Sequence, residues 1–342
     1  MSVDVAHEEL VVQKLSCSVV IATRNRPGPL EECLLSLATQ TVAPSLVIIV
    51  DSSNGKDTQR VVTKISQAST TCYSYVSTSV VSAARQRNLG AEQVSTDLVL
   101  FLDDDVVLEA DFVEEIVRAF ADDTEKRVGG VGGTMANMVY KEPSGINRLL
   151  LGVCLGRLRG TYAGQVVGPA VNFIPADPPK TIQQVDWLPS TACAYRTTVF
   201  RSKRFGDSFE GYSFAEDLHL STRVAKTHIL LNTTFARLIH KDLGATTHRN
   251  WSAVSESMVV NRHMIMTTVL GKTRVLDYAR LIFYEIVYCQ LAFFAANRNS
   301  RGLKIALQML LGKLRGTNRI LRPIKSTSSL AEHNSDSEAG ML

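Results

Sequence analysis

The sequence has no C-x-x-C pair and no apolar run long enough to cross a bilayer. Its six cysteines, Cys17, Cys33, Cys72, Cys154, Cys193 and Cys289, are scattered, most of them within apolar runs. That spacing argues against a disulfide framework or a structural zinc site, and for free thiols in a reducing compartment. A spanning helix needs about 20 consecutive apolar residues. The best candidate, Leu281 to Ala296, is interrupted by Glu285 and closed by Arg298. Asp4, Glu8 and Glu9 precede the first apolar run, so no signal-peptide pattern is visible. Neither sign of charge dominates, with 37 Lys and Arg against 33 Asp and Glu. The expected location is cytoplasmic, at most in peripheral contact with the inner face of the plasma membrane.

What is present is an ordinary globular composition, 45% hydrophobic and 20% charged over 342 residues. That is enough for one large domain with an appendage, or for two domains. In the first ~120 residues, continuous apolar runs alternate with helical patterns. Ser18–Ala22, Leu46–Val50, Cys72–Val76 and Leu98–Leu102 read as strands. Helical spacing follows Pro29, recurs around Val61 to Ile65, and covers Ser82 to Val94 and Phe112 to Phe120. Such alternation predicts an α/β fold with a mostly parallel sheet and helices on both faces. Residues 141–180, with Pro143, Pro169, Pro175, Pro178 and Pro179, read as loop. Glu216 opens a further helix, and Ala236 to Ile239 form a strand leading into His240.

Polar clusters stand where such sheets bind ligands, beyond the carboxyl ends of the strands. Thr23-Arg24-Asn25-Arg26 leaves the first strand, Asp51 ends the second, and Asp103-Asp104-Asp105 ends the fourth. Three adjacent carboxylates repel one another, so they call for a partner. A divalent cation with oxygen ligands, Mg2+ or Mn2+, would supply one and would suit a diphosphate. The plain alternative is acids at a helix N-terminus, a role that fits Glu109 and Asp111 better than Asp103–Asp105. Glu216-Asp217 is open to the same alternative.

The ordered blocks Val19-Val20-Ile21-Ala22-Thr23-Arg24-Asn25-Arg26, Val50-Asp51, Ala84-Arg85-Gln86-Arg87-Asn88-Leu89-Gly90, Phe101-Leu102-Asp103-Asp104-Asp105 and Glu216-Asp217 with Arg223 resemble family 2 glycosyltransferases of the GT-A (Rossmann-like) fold. The resemblance runs from about residue 17 to 245. It implies an inverting, metal-dependent transferase that moves a sugar from a nucleotide-diphosphate donor, a UDP-sugar in the commonest case, to an acceptor hydroxyl. It places Thr23, Arg24, Asn25, Asp51, Arg85, Asn88, Asp103 and Asp104 at the donor, with Arg87 beside Asn88. Asp105 would bind the metal and Asp217 would be the catalytic base, with Glu216 as its neighbour and alternate. His240 is a candidate ligand of the metal, although a lone histidine is more often structural. His248 and Arg249 are weaker candidates for the diphosphate. Asp186 and Trp187 would line the acceptor, or Trp187 is simply packed core. Ser190-Thr191-Ala192 stands where related sequences often carry glycines, which bears on the acceptor. Two other functions compete: a non-catalytic module that holds a sugar nucleotide, and a nucleotidyltransferase, which would want a Gly-rich phosphate loop after the first strand.

Residues 1–16 read as an N-terminal extension, 17–268 as the GT-A domain, 269–325 as a helical basic segment and 326–342 as a disordered Ser-rich tail. From 298 to 325 there are eight basic side chains and no acidic one, interleaved with Leu303, Ile305, Leu307, Met309, Leu310, Leu311 and Leu314. That pattern fits an amphipathic helix at an anionic membrane, and then a glycan or lipid-linked acceptor of the kind used in surface polysaccharide or glycolipid assembly. Packing on the domain or in a homo-oligomer competes with it. Nucleic acid is not expected as a partner, because no recognised motif accompanies the charge.

Overall fold

The computed structural model describes residues 15–209, 213–241, 250–297 and 299–321. The tail 326–342, His248, Arg249, Arg298 and nearly all of the N-terminal extension lie outside the described residues. So do residues 210–212, in the loop before Glu216.

The first half follows the expected alternation. β1 (Cys17–Thr23), α1 (Pro27–Ala38), β2 (Leu46–Asp51), α2 (Asp57–Ala68), β3 (Tyr73–Ser77), α3 (Ala83–Ala91) and β4 (Leu98–Asp103) come in order. Pro27 opens α1, where its missing N–H is no loss and its φ is already helical. Strands β3, β2, β1 and β4 pair in parallel in that spatial order. Successive side chains on a strand point to opposite faces, and both faces are covered. Val19, Ile21, Leu100 and Leu102 pack with Leu30 and Leu34 of α1. Val20, Val99 and Phe101 pack on the other face with Ala84 and Ala91 of α3. Burial on both sides is why these strands are apolar throughout.

The second half departs from the expectation. β5 (Val106–Leu108), α4 (Phe112–Ala121) and β6 (Val128–Met135) are followed by α5 (Gly145–Leu155) and by a small hairpin of β7 (Val166–Val167) and β8 (Val171–Asn172). The stretch expected to be loop therefore holds a helix and a hairpin. Then come β9 (Ile182–Val185), β10 (Ala192–Arg196), α6 (Thr197–Lys203), α7 (Glu216–Val224) and β11 (Ile229–His240). β10 runs antiparallel between β4 and β6. The sheet is parallel at one end and mixed at the other, ordered β3-β2-β1-β4-β10-β6-β11-β5. All of β6 is buried, and its glycines make room: a Cβ on Gly133 would collide with the Phe112 ring. β11 reaches twelve residues, well past the four expected, because its polar Asn232 and Thr233 are buried and bonded to Thr134.

The last helices pack on the α/β layers. They are α8 (Trp251–Met264), α9 (Val275–Ile282), α10 (Cys289–Ala296) and α11 (Ser300–Leu321), with π-helical segments at Ile265–Val269 and Phe283–Tyr288. Trp187 and Leu218 share one apolar cluster with Ile265, Met266 and Leu281. Glu285 is buried between Arg262 and Lys313, and the Lys313 ammonium also donates to the Glu285 carbonyl at 2.7 Å. A buried carboxylate is tolerated only with such partners.

Candidate functional site

The rim forms where β1, β2 and β4 end. Gln86 of α3 clamps two of them: its Nε2 donates to the carbonyls of Thr23 at 3.0 Å and Val50 at 2.9 Å. Thr23, Asp51 and Asp103 are the last residues of their strands, so they stand side by side.

After Asp103 the chain turns through Asp104 and Asp105 into β5, which pairs with the end of β11. That pairing carries His240 to the acids. Its Nε2 lies 3.0 Å from Asp105 Oδ1. Candidate ligand atoms on Asp103, Asp105 and His240 all lie within 4.8 Å of one another. Two carboxylates and an imidazole form a donor set that suits Mn2+, so the residues fit the expected ion. Arg26 supplies a second positive group, donating to Asp104 Oδ1 at 2.9 Å and to Asp105 Oδ2 at 2.8 Å. Thr23 Oγ1 donates to Asp104 Oδ2 at 2.6 Å.

These surroundings split the acids. Burial, helped by the neighbouring carboxylates, raises Asp104 to about 7 against the pull of Arg26 and Thr23. Burial would also raise Asp105, but hydrogen bonds and charge from His240 and Arg26 hold it below the usual range. Burial would lower His240, yet the bond and charge of Asp105 raise it on balance. A cleft of about 250 Å3 opens beside Asp105, lined by Gly28, Pro29, Glu32, Val107 and Lys241.

Arg87, almost fully buried, ties the acids to a second centre. Its Nη2 donates to Asp103 Oδ1 at 2.7 Å and its Nη1 to Glu216 Oε1 at 2.8 Å. Glu216 and Asp217 start α7, after Ser213 (φ 52°) and Ala215 (φ 66°). Left-handed backbone costs energy at non-glycine residues, and such strain gathers at functional sites. Ser190 holds the pair, its Oγ donating to Glu216 at 3.3 Å and its N–H to Asp217 Oδ2 at 3.3 Å. Asp217 also accepts from the Leu218 N–H at 2.7 Å. Burial raises the pKa of both carboxyls. Glu216 is buried, while Asp217 keeps partial exposure.

The other expected donor residues sit on the same edge. Asp51 accepts from the Ser53 N–H at 2.8 Å and from Tyr75 Oη at 2.7 Å. Asn25 (φ 55°) turns the chain toward it, its N–H donating to Ser53 Oγ at 2.6 Å. Arg24 and Arg85 are exposed, and Arg85 donates to the Asp207 carbonyl at 3.0 Å. Asn88 is buried, and its carboxamide bonds both the N–H and the carbonyl of Phe205. It orders the 205–207 loop.

On the expected acceptor side, Asp186 is exposed and accepts from the Val166 N–H at 2.9 Å. Trp187 packs in the core. It is 5% exposed, sits in the cluster with Leu218, and donates its indole N–H to the Phe173 carbonyl at 2.7 Å. Sequence reasoning set Arg26 on the rim without naming its partners, and gave Gln86 and Ser190 no part in holding the site. Arg26 alone left a signal, a cation beside a strand end that faces three acids elsewhere in the sequence.

A mixed sheet with acids at its central strand ends and helices on both faces is similar in fold to GT-A glycosyltransferases. Residues 18–143 match the family described as Glycosyl transferase family 2, and the resemblance read from the motifs holds over that stretch. Solved structures show the same fold at low identity. A mannosyltransferase, PcManGT from Pyrobaculum calidifontis in complex with GDP-Man and Mn2+, is 14% identical at a TM-score of 0.54 and covers 90% of this chain and 88% of its own. GalNAc-T7 with UDP, GalNAc and Mn2+ is 12% identical at a TM-score of 0.52, over 88% of this chain and 55% of that one. No curated protein matches the chain.

Proposed function

We propose that the protein is an inverting glycosyltransferase that transfers a hexose from a nucleotide-diphosphate sugar to an acceptor hydroxyl. The observation that carries this is the Arg87 bridge, which sets Asp103 of the acid cluster and Glu216, next to Asp217, on one guanidinium. In this reading the donor lies over Thr23, Asn25, Asp51 and Arg85, with Arg24 and Asp103 beside it. Asp103, Asp105 and His240 would hold Mn2+ or Mg2+. When bound, such an ion neutralises charge on the departing diphosphate.

Asp217 takes the proton from the acceptor hydroxyl. That oxygen bonds to the anomeric carbon as the bond to the diphosphate breaks on the opposite face, so configuration inverts. A pKa raised by burial makes Asp217 a better base near neutral pH. Glu216, held by Arg87 and Ser190, is the positioning residue. The fold and the family match support a nucleotide-sugar donor. UDP is the first to try and GDP the second, since the two structural neighbours carry one each. The acceptor would be a glycan or lipid-linked molecule met at the inner face of the plasma membrane.

The test is a thermal-shift screen of nucleotide sugars with Mn2+ or Mg2+, followed by turnover of any donor that binds. Asp217→Asn should keep donor binding and lose transfer by roughly 10²- to 10⁴-fold. Near-normal turnover in that variant would remove Asp217 from the role, and no stabilisation by any donor would remove the transferase reading.

A further inference from the structure

We propose that α11 seats the protein on an anionic lipid surface through an exposed leucine stripe. This rests on the peripheral-membrane part of the function proposed above and deepens it by naming the contact face.

α11 has three faces. One is buried and built from Gly302, Ala306, Met309, Gly312, Lys313 and Gly316. It packs so closely on α8 that a Cβ on Gly312 would collide with the Ser252 carbonyl. The second face is mostly apolar and exposed: Leu303, Leu307, Leu311, Leu314 and Leu321 are 48, 54, 55, 47 and 56% exposed, with the polar Asn318 among them. With successive residues turning roughly 100° about the axis, these positions fall on one stripe. Lys304, Arg315, Arg301 and Arg319 line the flank between that stripe and the α8 contact, and all four are exposed. The helix has no acidic residue, and its one buried cation, Lys313, is paired with Glu285.

An apolar stripe beside a basic flank matches a bilayer interface, where leucines enter the acyl boundary and cations meet lipid phosphates. Charge decides between occupants. Arg319 has Glu256 of α8 at 3.9 Å, but α11 itself has no acid, so a second copy related by two-fold symmetry would set α11 on α11 and bring Arg301, Lys304 and Arg315 of the two flanks together with no acid on either helix to pair them. Anionic lipid complements the same charge. The contact is interfacial, because no helix among the described residues is long and apolar enough to cross a membrane.

A second apolar stripe exists on α5, where Ile146, Leu149, Leu150 and Val153 are 77, 55, 39 and 56% exposed at i, i+3, i+4 and i+7. It provides a comparison arm. The full-length protein is floated with vesicles of phosphatidylcholine alone and of phosphatidylcholine with phosphatidylglycerol. Wild type should float with the anionic vesicles only, and less at high salt. Combined Leu303→Ser, Leu307→Ser and Leu311→Ser should weaken that partitioning at least about tenfold. The melting temperature and any donor-induced shift should stay unchanged, because the three side chains are exposed. Failure of wild type to float would overturn the proposal. So would normal flotation of the α11 variant, or loss seen only in Ile146→Ser with Leu149→Ser and Val153→Ser. A wild-type dimer that the α11 variant breaks, without vesicle binding, would assign the stripe to a second copy. Donor shifts are read separately, so failure of the transferase reading stays distinguishable.

Discussion

Arg87 and Glu216 lie 129 positions apart in sequence and 2.8 Å apart in space, the guanidinium of one helix closing on the first carboxylate of another. Neither group is at home in a buried place alone. Burial disfavours both charges, and the ion pair with Asp103 completes the compensation.

Arg87→Met should therefore be among the most destabilising single changes in the site. It strands two carboxylates, one of them fully enclosed. Breaking a buried pair from one side costs about 3–5 kcal/mol. Urea unfolding should show a lower midpoint with an unchanged slope. Arg87→Lys should recover part of the loss, since one ammonium cannot reproduce the two-pronged geometry.

Chelation should separate stability from ligand binding. Arg26 already pairs with both Asp104 and Asp105, so EDTA should leave the melting temperature nearly unchanged. Under the proposed function, EDTA should abolish the donor-induced shift. His240→Ala and Asp105→Asn should each weaken Mn2+ binding by roughly tenfold or more, read by electron paramagnetic resonance without any turnover.

His219 gives the protein an acid-side slope. Burial lowers its pKa from 6.5 to about 4, with Arg223 adding repulsion. Among the described residues its Nδ1 has no hydrogen-bond partner, and its ring lies against Phe209. Between those two values the unfolded chain binds more protons than the folded one, so stability rises with pH there and levels off above 6.5 as far as this group is concerned. Calorimetry of His219→Gln should show a flatter rise across that window than wild type.

Gly312→Ala pits two effects against each other. Alanine favours a helix interior by about 1 kcal/mol over glycine. Here its methyl would run into the backbone carbonyl of Ser252, and overpacking costs typically 1–3 kcal/mol. A backbone obstacle cannot rotate away, so net destabilisation is expected. A higher midpoint in chemical unfolding would show that α11 rides farther from α8 than described.

How much could be read in advance depended on what each element buries. β1, β2 and β4 are enclosed on both faces and announce themselves as unbroken apolar runs. β11 hides because its middle is polar, with Asn232 and Thr233 satisfied inside the sheet by Thr134. α5 hides because its outward face is as apolar as its inward one, which erases the usual periodicity. In the site, the strand-end acids were legible from their position alone. Arg26 stood in the same strand-end cluster, but which of the acids it would bond, Asp104 and Asp105, is a matter of folded geometry. Trp187 could be read either way in the sequence, because nothing local to it says that its indole N–H would find the Phe173 carbonyl.

The antiparallel strand β10 has a consequence for how the chain must be made. Leu98 to Leu102 of β4 are wholly enclosed, and one of their two hydrogen-bonding edges is covered only by β10. That partner leaves the ribosome after α5, both hairpin strands and β9. Until then β4 is an apolar edge open to any other chain, the situation that invites intermolecular pairing. The stretch 18–143 that carries the family match stops before this cover arrives. It is a recognisable sequence block and an incomplete folding unit, whose central strand waits for residues that the motifs do not include.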